Sequence, residues 1–207
     1  MTPERIAELL APFIPSRLLG SKHLTSIKTY LDLLLKWNSK MNLTAVRDPE
    51  EIITRHFGES LFAAHQLFPD GDSTQSAIDI GSGPGFPGLP IKLWAERLDF
   101  TLVESNHRKA TFLREVVRTL ELKSVSVRTE RAERIPAHAD LVTLRAVETF
   151  ERVLPIAHSL TKPKGRIAIL IGSVQVEQAR ALLPEVKWQF PVAVPNSRSR
   201  VLLTGTK

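Results

Sequence analysis

Two rhythms of apolar residues divide the 207-residue chain. Up to about residue 68, apolar side chains recur at three- and four-residue spacing, the period of a helix. A short helix is predicted over 3–11. A longer one is predicted over 24–37, where Leu24, Ile27, Leu31, Leu34 and Leu35 fall on one face. Asn42-Leu43-Thr44 breaks that pattern. Asp48-Pro49-Glu50-Glu51 restarts it: Asp48 suits an N-cap, Pro49 the first helical position, and Glu51 the far side of a capping box. Ile52, Ile53, His56, Phe57 and Phe62 carry this helix to about Leu67. Residues 1–68 are therefore expected to form a helical N-terminal element, and 69–207 a separate domain.

After a polar connector the rhythm becomes strand and helix in alternation. Strands are predicted over 76–80, 100–104, 124–128, 141–144, 166–171, 188–194 and 200–204, with helices near 88–97, 106–121, 148–160 and 174–183. Repeated strand–helix units require right-handed parallel crossovers and give an α/β, doubly wound sheet. Too few residues separate the last two strands for a crossover helix, so an antiparallel pair is expected at one edge. The prediction is a mainly parallel seven-stranded sheet behind the helical element.

The chemistry concentrates where the first strand ends. Ala77-Ile78-Asp79-Ile80 runs into Gly81-Ser82-Gly83-Pro84-Gly85-Phe86-Pro87-Gly88, and Glu104 ends the next strand. Glycines after a strand let a ligand approach the backbone, and a carboxylate one strand away can accept hydrogen bonds from both hydroxyls of a ribose. The spacing is not G-x-G-x-x-G, and Pro84 and Pro87 interrupt the first helical turn. No clean helix N-terminus then faces a pyrophosphate. Such a loop suits an adenosine cofactor without phosphates, S-adenosyl-L-methionine, rather than a dinucleotide.

Composition narrows the remaining choices. The chain has no cysteine and six scattered histidines, so thiolate chemistry is excluded and no metal site is expected. The first ten residues carry Glu4, Arg5 and Glu8 in place of a signal-peptide core, and no apolar run approaches membrane-spanning length. A cytoplasmic location, no membrane partner and a monomer are expected. Net charge is +6 and unevenly spread: residues 1–70 balance eight basic and eight acidic groups, 106–134 hold eight and four, and 161–207 hold eight and two. This excess favours a polyanionic partner, most simply RNA. Arg108, Lys109, Lys162, Lys164, Arg198 and Arg200 are the candidate phosphate contacts.

Several stretches, in order, resemble one family. They are Trp37-Asn38-x-x-x-Asn42-Leu43-Thr44, Arg55-His56-x-x-Glu59-Ser60-Leu61, the loop from Asp79 to Pro90, Glu104-Ser105 with Arg108-Lys109 and Phe112-Leu113, Arg131-Ala132-Glu133, and Arg145-Ala146. Over roughly residues 30–205 the chain is similar to the GidB family of small-subunit ribosomal RNA methyltransferases. The resemblance implies a Rossmann-like class I methyltransferase fold and S-adenosylmethionine as cofactor. It implies methyl transfer to N7 of a guanosine in the 530-loop region of 16S rRNA, free or in an assembling small ribosomal subunit. It also implies cofactor contacts from Gly81, Phe86, Ala132, Glu133 and Arg145, to which the ribose argument adds Glu104.

Guanine N7 carries a lone pair and no proton, so the reaction needs orientation more than a base. The fourth strand ends Leu144-Arg145-Ala146, without the Asp/Asn-Pro-Pro-Tyr/Phe motif of exocyclic-amine methyltransferases. Arg145 is therefore expected at the junction of cofactor and guanine, touching the methionine carboxylate or the guanine O6. His56 and Glu59 are expected either near the substrate or as a brace between helices. The chain departs from the family in having Ile171-Gly172 for Lys-Gly, and Glu59 and Glu104 for the usual aspartates. The residues alone leave open another RNA or a small molecule as acceptor, and a non-catalytic RNA-binding relative.

Overall fold

The computed structural model describes residues 1–145 and 149–207. Ala146 of the Arg145-Ala146 pair, and residue 148 at the expected start of a helix, lie outside the described residues. The helical element contains α1 (Pro3–Leu10), α2 (Ser21–Asn38), α3 (Pro49–Ile52) and α4 (Glu59–Leu67). The single helix expected from 49 to 67 is interrupted by a π-helical stretch, Ile53–Gly58, which carries Arg55 and His56. A π turn inserts one extra residue and releases carbonyls from the α ladder, a departure that apolar spacing does not reveal. Half of the expected capping box forms. Asp48 accepts from the Glu51 amide at 2.8 Å, while the Glu51 side chain pairs with Arg55 at 2.6 Å.

The α/β part follows as β1 (Ser76–Ile80), α5 (Gly88–Trp94), β2 (Asp99–Val103), α6 (His107–Thr119), β3 (Val125–Arg128), β4 (Ala139–Arg145), α7 (Phe150–Leu160), β5 (Thr161–Gly172), α8 (Val176–Leu182), β6 (Lys187–Trp188), β7 (Val192–Ala193) and β8 (Arg200–Thr206). The sheet order is β3-β2-β1-β4-β5-β8-β6, with β7 also on β8. The pairings from β3 to β5 are parallel, and β8 runs antiparallel to β5, β6 and β7. Among the described residues there are eight strands rather than seven, because the strand expected over 188–194 splits. Pro191 has no N–H for the ladder; Gln189 still donates its amide to the Thr204 carbonyl at 2.9 Å, and the pairing is interrupted at Phe190 and Pro191 before β7.

Alternation along the strands sends side chains to two apolar layers. Leu141, Ala168, Leu170 and Leu202 face a core shared with α5, α6 and the N-terminal helices. Val142, Ile167, Ile169 and Leu203 face a second core with α7 and α8. Ile6, Tyr30, Phe57 and Leu61 thus belong to the same apolar cluster as the sheet, which seats the helical element against the carboxyl ends of the strands. Strand direction sorts the basic residues. Antiparallel pairing matches Arg200 with Gly172, so the start of β8 lies at the carboxyl end of β5.

Candidate active site

Chain reversal after β1 sets up the site. Gly81 and Gly85 have φ of +66° and +102°, which side-chain-bearing residues rarely adopt. The Tyr30 hydroxyl donates to the Pro84 carbonyl and ties the loop to α2. Phe86 stacks on Tyr30, 5.4 Å away and near parallel, and on His56, 5.0 Å away. Its ring therefore braces the loop against the N-terminal helices, and it also lines the larger of the two cavities beside the loop. Beneath the loop, buried Asp79 accepts from the Thr143 hydroxyl at 2.7 Å, and burial pushes its carboxyl up to about 6.

Two cavities open at the carboxyl ends of the strands and meet at Gly81. The smaller, about 300 Å³, is lined by Ile80, Val103, Glu104, Ala132, Glu133 and Ile156 among others. Glu104 is 7% exposed, and its two oxygens accept from the Gly83 amide at 2.9 Å and the Asn106 amide at 2.7 Å. Each oxygen keeps lone-pair capacity for a ribose hydroxyl. Ala132 opens the 3₁₀ turn Ala132–Arg134, so its N–H has no partner within the turn. Glu133 pairs with Arg152 at 2.8 Å across the mouth. The residues fit an adenosyl group: an apolar floor, a carboxylate with free lone pairs, and a backbone donor. A Cβ on Gly83 would meet nothing closer than the Gly81 carbonyl at 3.8 Å, so the glycine backbone borders open space.

The larger cavity, about 480 Å³, is lined by Thr44, His56, Gly81, Phe86, Lys109, Arg145, Ile171 and Arg200 among others. Arg145 crosses from β4 to the helical element. Its Nη2 donates to the Arg55 carbonyl at 2.7 Å, to Glu59 at 3.1 Å and to His56 Nδ1 at 3.2 Å. The π stretch presents that carbonyl. Glu59 in turn pairs with Arg200 at 2.5 Å, so one carboxylate with a side chain 3% exposed holds two guanidiniums. Arg145 Nη1 and Arg200 Nε are buried with no partner in the protein among the described residues. Burial, Arg145, Arg55 and Arg200 hold His56 down at about 3, so its ring is neutral. Burial likewise lowers Arg145 to about 10, still a cation at neutral pH, and raises Glu59 against the pull of both arginines.

A family model described as rRNA small subunit methyltransferase G (GidB) matches residues 23–198. The chain belongs to this family. A relative named ribosomal RNA small subunit methyltransferase G, from Stenotrophomonas maltophilia, is 37% identical and covers 98% of this chain and 97% of its own. Among solved structures, a SAM-dependent methyltransferase from Aquifex aeolicus superposes with a TM-score of 0.60 at 17% identity, covering 80% of this chain and 96% of its own. A putative S-adenosyl-L-methionine-dependent methyltransferase from Methanococcus maripaludis gives 0.62 at 14%, covering 76% and 89%. These two likenesses show the class I methyltransferase fold, in which the chain's α/β sheet is built.

Ile171, where the family resemblance led to the expectation of a lysine, lines the larger cavity with an apolar side chain. Arg200, matched to Gly172 across the strand pair, supplies a cation beside it. Of the other basic candidates, Lys109 lines this cavity, while Arg108, in the first turn of α6, and Arg198, two residues before β8, are exposed and do not line it. Lys162 and Lys164 were expected with them and lie elsewhere. They sit in the first residues of β5, at the opposite end of the sheet, where Lys162 pairs with Asp140 at 3.0 Å. Charge counts along the chain carry no strand direction, and that misplaced these two. His56, expected among substrate contacts, reaches the cavity as a neutral ring and offers no charge to a phosphate. Thr44 and the Arg55 carbonyl were not anticipated, although both belong to stretches that carry the family resemblance.

Proposed function

We propose that this chain is an S-adenosylmethionine-dependent methyltransferase acting on N7 of a guanosine in the 530-loop region of 16S rRNA. The observation that carries the reading is that two cavities share Gly81 in their walls, one fitted to an adenosyl group and the other lined by both apolar side chains and the cations Lys109, Arg145 and Arg200. Glu104, Ala132 and Glu133 would hold the adenosine side, with the Gly81–Gly83 backbone beneath the junction. When bound, the cofactor supplies a methyl group already activated on a sulfonium.

The chain's own residues have a limited task. N7 of guanine carries no proton, so no side chain must remove one. That agrees with a neutral His56 occupied on both ring nitrogens. Arg145, fixed by three acceptors, holds positive charge at the wall of the acceptor cavity without freedom to swing. Fixed dipoles and charges of this kind need no reorganisation during transfer. Lys109 and Arg200 line the acceptor cavity, Arg108 and Arg198 are exposed neighbours of theirs in the chain, and together these cations favour the RNA backbone.

The test is nucleoside analysis of small-subunit rRNA from cells lacking the endogenous methylation, after incubation with the protein and labelled S-adenosylmethionine. Label in N7-methylguanosine is expected. Label in another nucleoside, or none, overturns the reading.

A further inference from the structure

A directional hydrogen-bond chain runs from β4 into the acceptor cavity. Arg145 Nη2 lies 3.2 Å from His56 Nδ1. A guanidinium only donates, so Nδ1 accepts, and Nη2 shares its two hydrogens among three acceptors. The neutral ring then carries its proton on Nε2 and donates to Thr44 Oγ at 2.8 Å. The Val46 amide donates to the same oxygen at 3.2 Å. Both lone pairs of the Thr44 hydroxyl are thus engaged, and one hydrogen is left. It finds no acceptor among the described residues, and Thr44 is a half-buried wall residue of the cavity that holds Gly81 and Arg145.

We propose that Thr44 is a specificity-determining residue, its hydroxyl donating to O6 of the target purine. This rests on the guanine-N7 reading, because O6 is the carbonyl beside N7 on the same edge of the base. Adenine presents an amino donor at that position. A threonine free to rotate would accept from it, but this one has no lone pair to spare, so donor would face donor. Arg145 acts as a positioning residue in this scheme: it fixes the tautomer of His56, which fixes the direction of the Thr44 hydroxyl. A buried group aimed at a substrate carbonyl discriminates strongly against an analogue that lacks the acceptor.

The test pairs Thr44→Val, which removes the hydroxyl at constant shape, with Thr44→Ser, which keeps it. Single-turnover methylation is measured on 16S rRNA assembled with guanosine, inosine or 2-aminopurine at the target position. Inosine keeps O6 and 2-aminopurine lacks it, while all three keep N7 and the phosphates. Thr44→Val is expected to lose about tenfold on guanosine and inosine and less than about twofold on 2-aminopurine, the value of one hydrogen bond. Thr44→Ser is expected to stay within about threefold of the parent. Calorimetric affinity for S-adenosylmethionine should be the same in all three proteins.

Equal losses by Thr44→Val on all three bases overturn the assignment. Where 2-aminopurine reacts too slowly to follow, the serine and valine variants on guanosine decide it: equal rates overturn it and serine rescue supports it. If the parent protein makes no N7-methylguanosine at all, the functional reading falls and this one with it. If the parent does so and Thr44→Val is indifferent to O6, only the Thr44 assignment falls.

Discussion

Replacing Glu59 by glutamine removes one charge from a site where two guanidiniums share it. Arg145 Nη2 lies 3.1 Å from one oxygen and Arg200 Nη2 lies 2.5 Å from the other, and the Glu59 side chain is 3% exposed. Losing one member of a buried pair costs about 3–5 kcal/mol when the partner charge stays behind. Arg200 is 30% exposed and recovers part of its hydration, which places the expected loss near 3 kcal/mol, toward the low end of that range. For a chain of this size that is a fall in Tm of roughly 6–12 °C. Scanning calorimetry of Glu59→Gln and Glu59→Asp measures it directly. Aspartate keeps the charge but is one methylene shorter, so it should reach one arginine and fall between parent and glutamine. Methyl transfer by Glu59→Gln should drop about 10- to 100-fold, since Arg145 loses an anchor but keeps the Arg55 carbonyl and His56. A Tm within about 2 °C of the parent, with unchanged methyl transfer, would refute the clamp.

Other outcomes follow from the same geometry. Because the folded pKa of His56 is depressed to about 3 from an ordinary 6.5, the unfolded chain binds more protons between those values, so His56 stabilises the fold above about pH 6.5 and that contribution fades toward pH 3. Asp79, raised to about 6, titrates in the opposite sense over part of this window, so the informative quantity is the difference in urea-unfolding free energy between the parent and His56→Gln. That difference should slope by up to ~1.4 kcal/mol per pH unit, and parallel curves would count against a buried neutral ring. Glu104→Gln puts an amide against the Gly83 and Asn106 donors, and calorimetry should show S-adenosylmethionine affinity down by about 10- to 100-fold. Lys109→Ala and Arg198→Ala should each reduce the slope of log affinity for 16S rRNA against log salt by about one, whereas Lys162→Ala, at the far end of the sheet, should leave it unchanged.

The positions of the strands and the loop at 81–88 were legible in the chain because both rest on local pattern. Alternating apolar runs mark strands, and glycines at 81, 83 and 85 mark a turn that a ligand can approach. Glu104 was legible as a carboxylate at a strand end, although its two oxygens also hold the Gly83 and Asn106 amides, which no spacing rule reveals. Pairings across the fold were not legible. Glu59 and Arg200 stand 141 positions apart (200 minus 59) and meet only because α4 packs at the end of β5 where antiparallel β8 begins. The π stretch was hidden because Ile53, Phe57 and Leu61 keep helical spacing through it. Lys162 and Lys164 went astray for the reason that brought Arg200 in: strand direction, rather than position in the chain, decides which end of the sheet a cation occupies.

The most direct test of the central claim is the mapping of N7-methylguanosine along 16S rRNA by borohydride reduction and aniline cleavage, with and without this protein and S-adenosylmethionine. One new cleavage at a guanosine of the 530 loop, present only with both, is the predicted result. An unchanged cleavage pattern, or a new site outside that loop, would contradict the account.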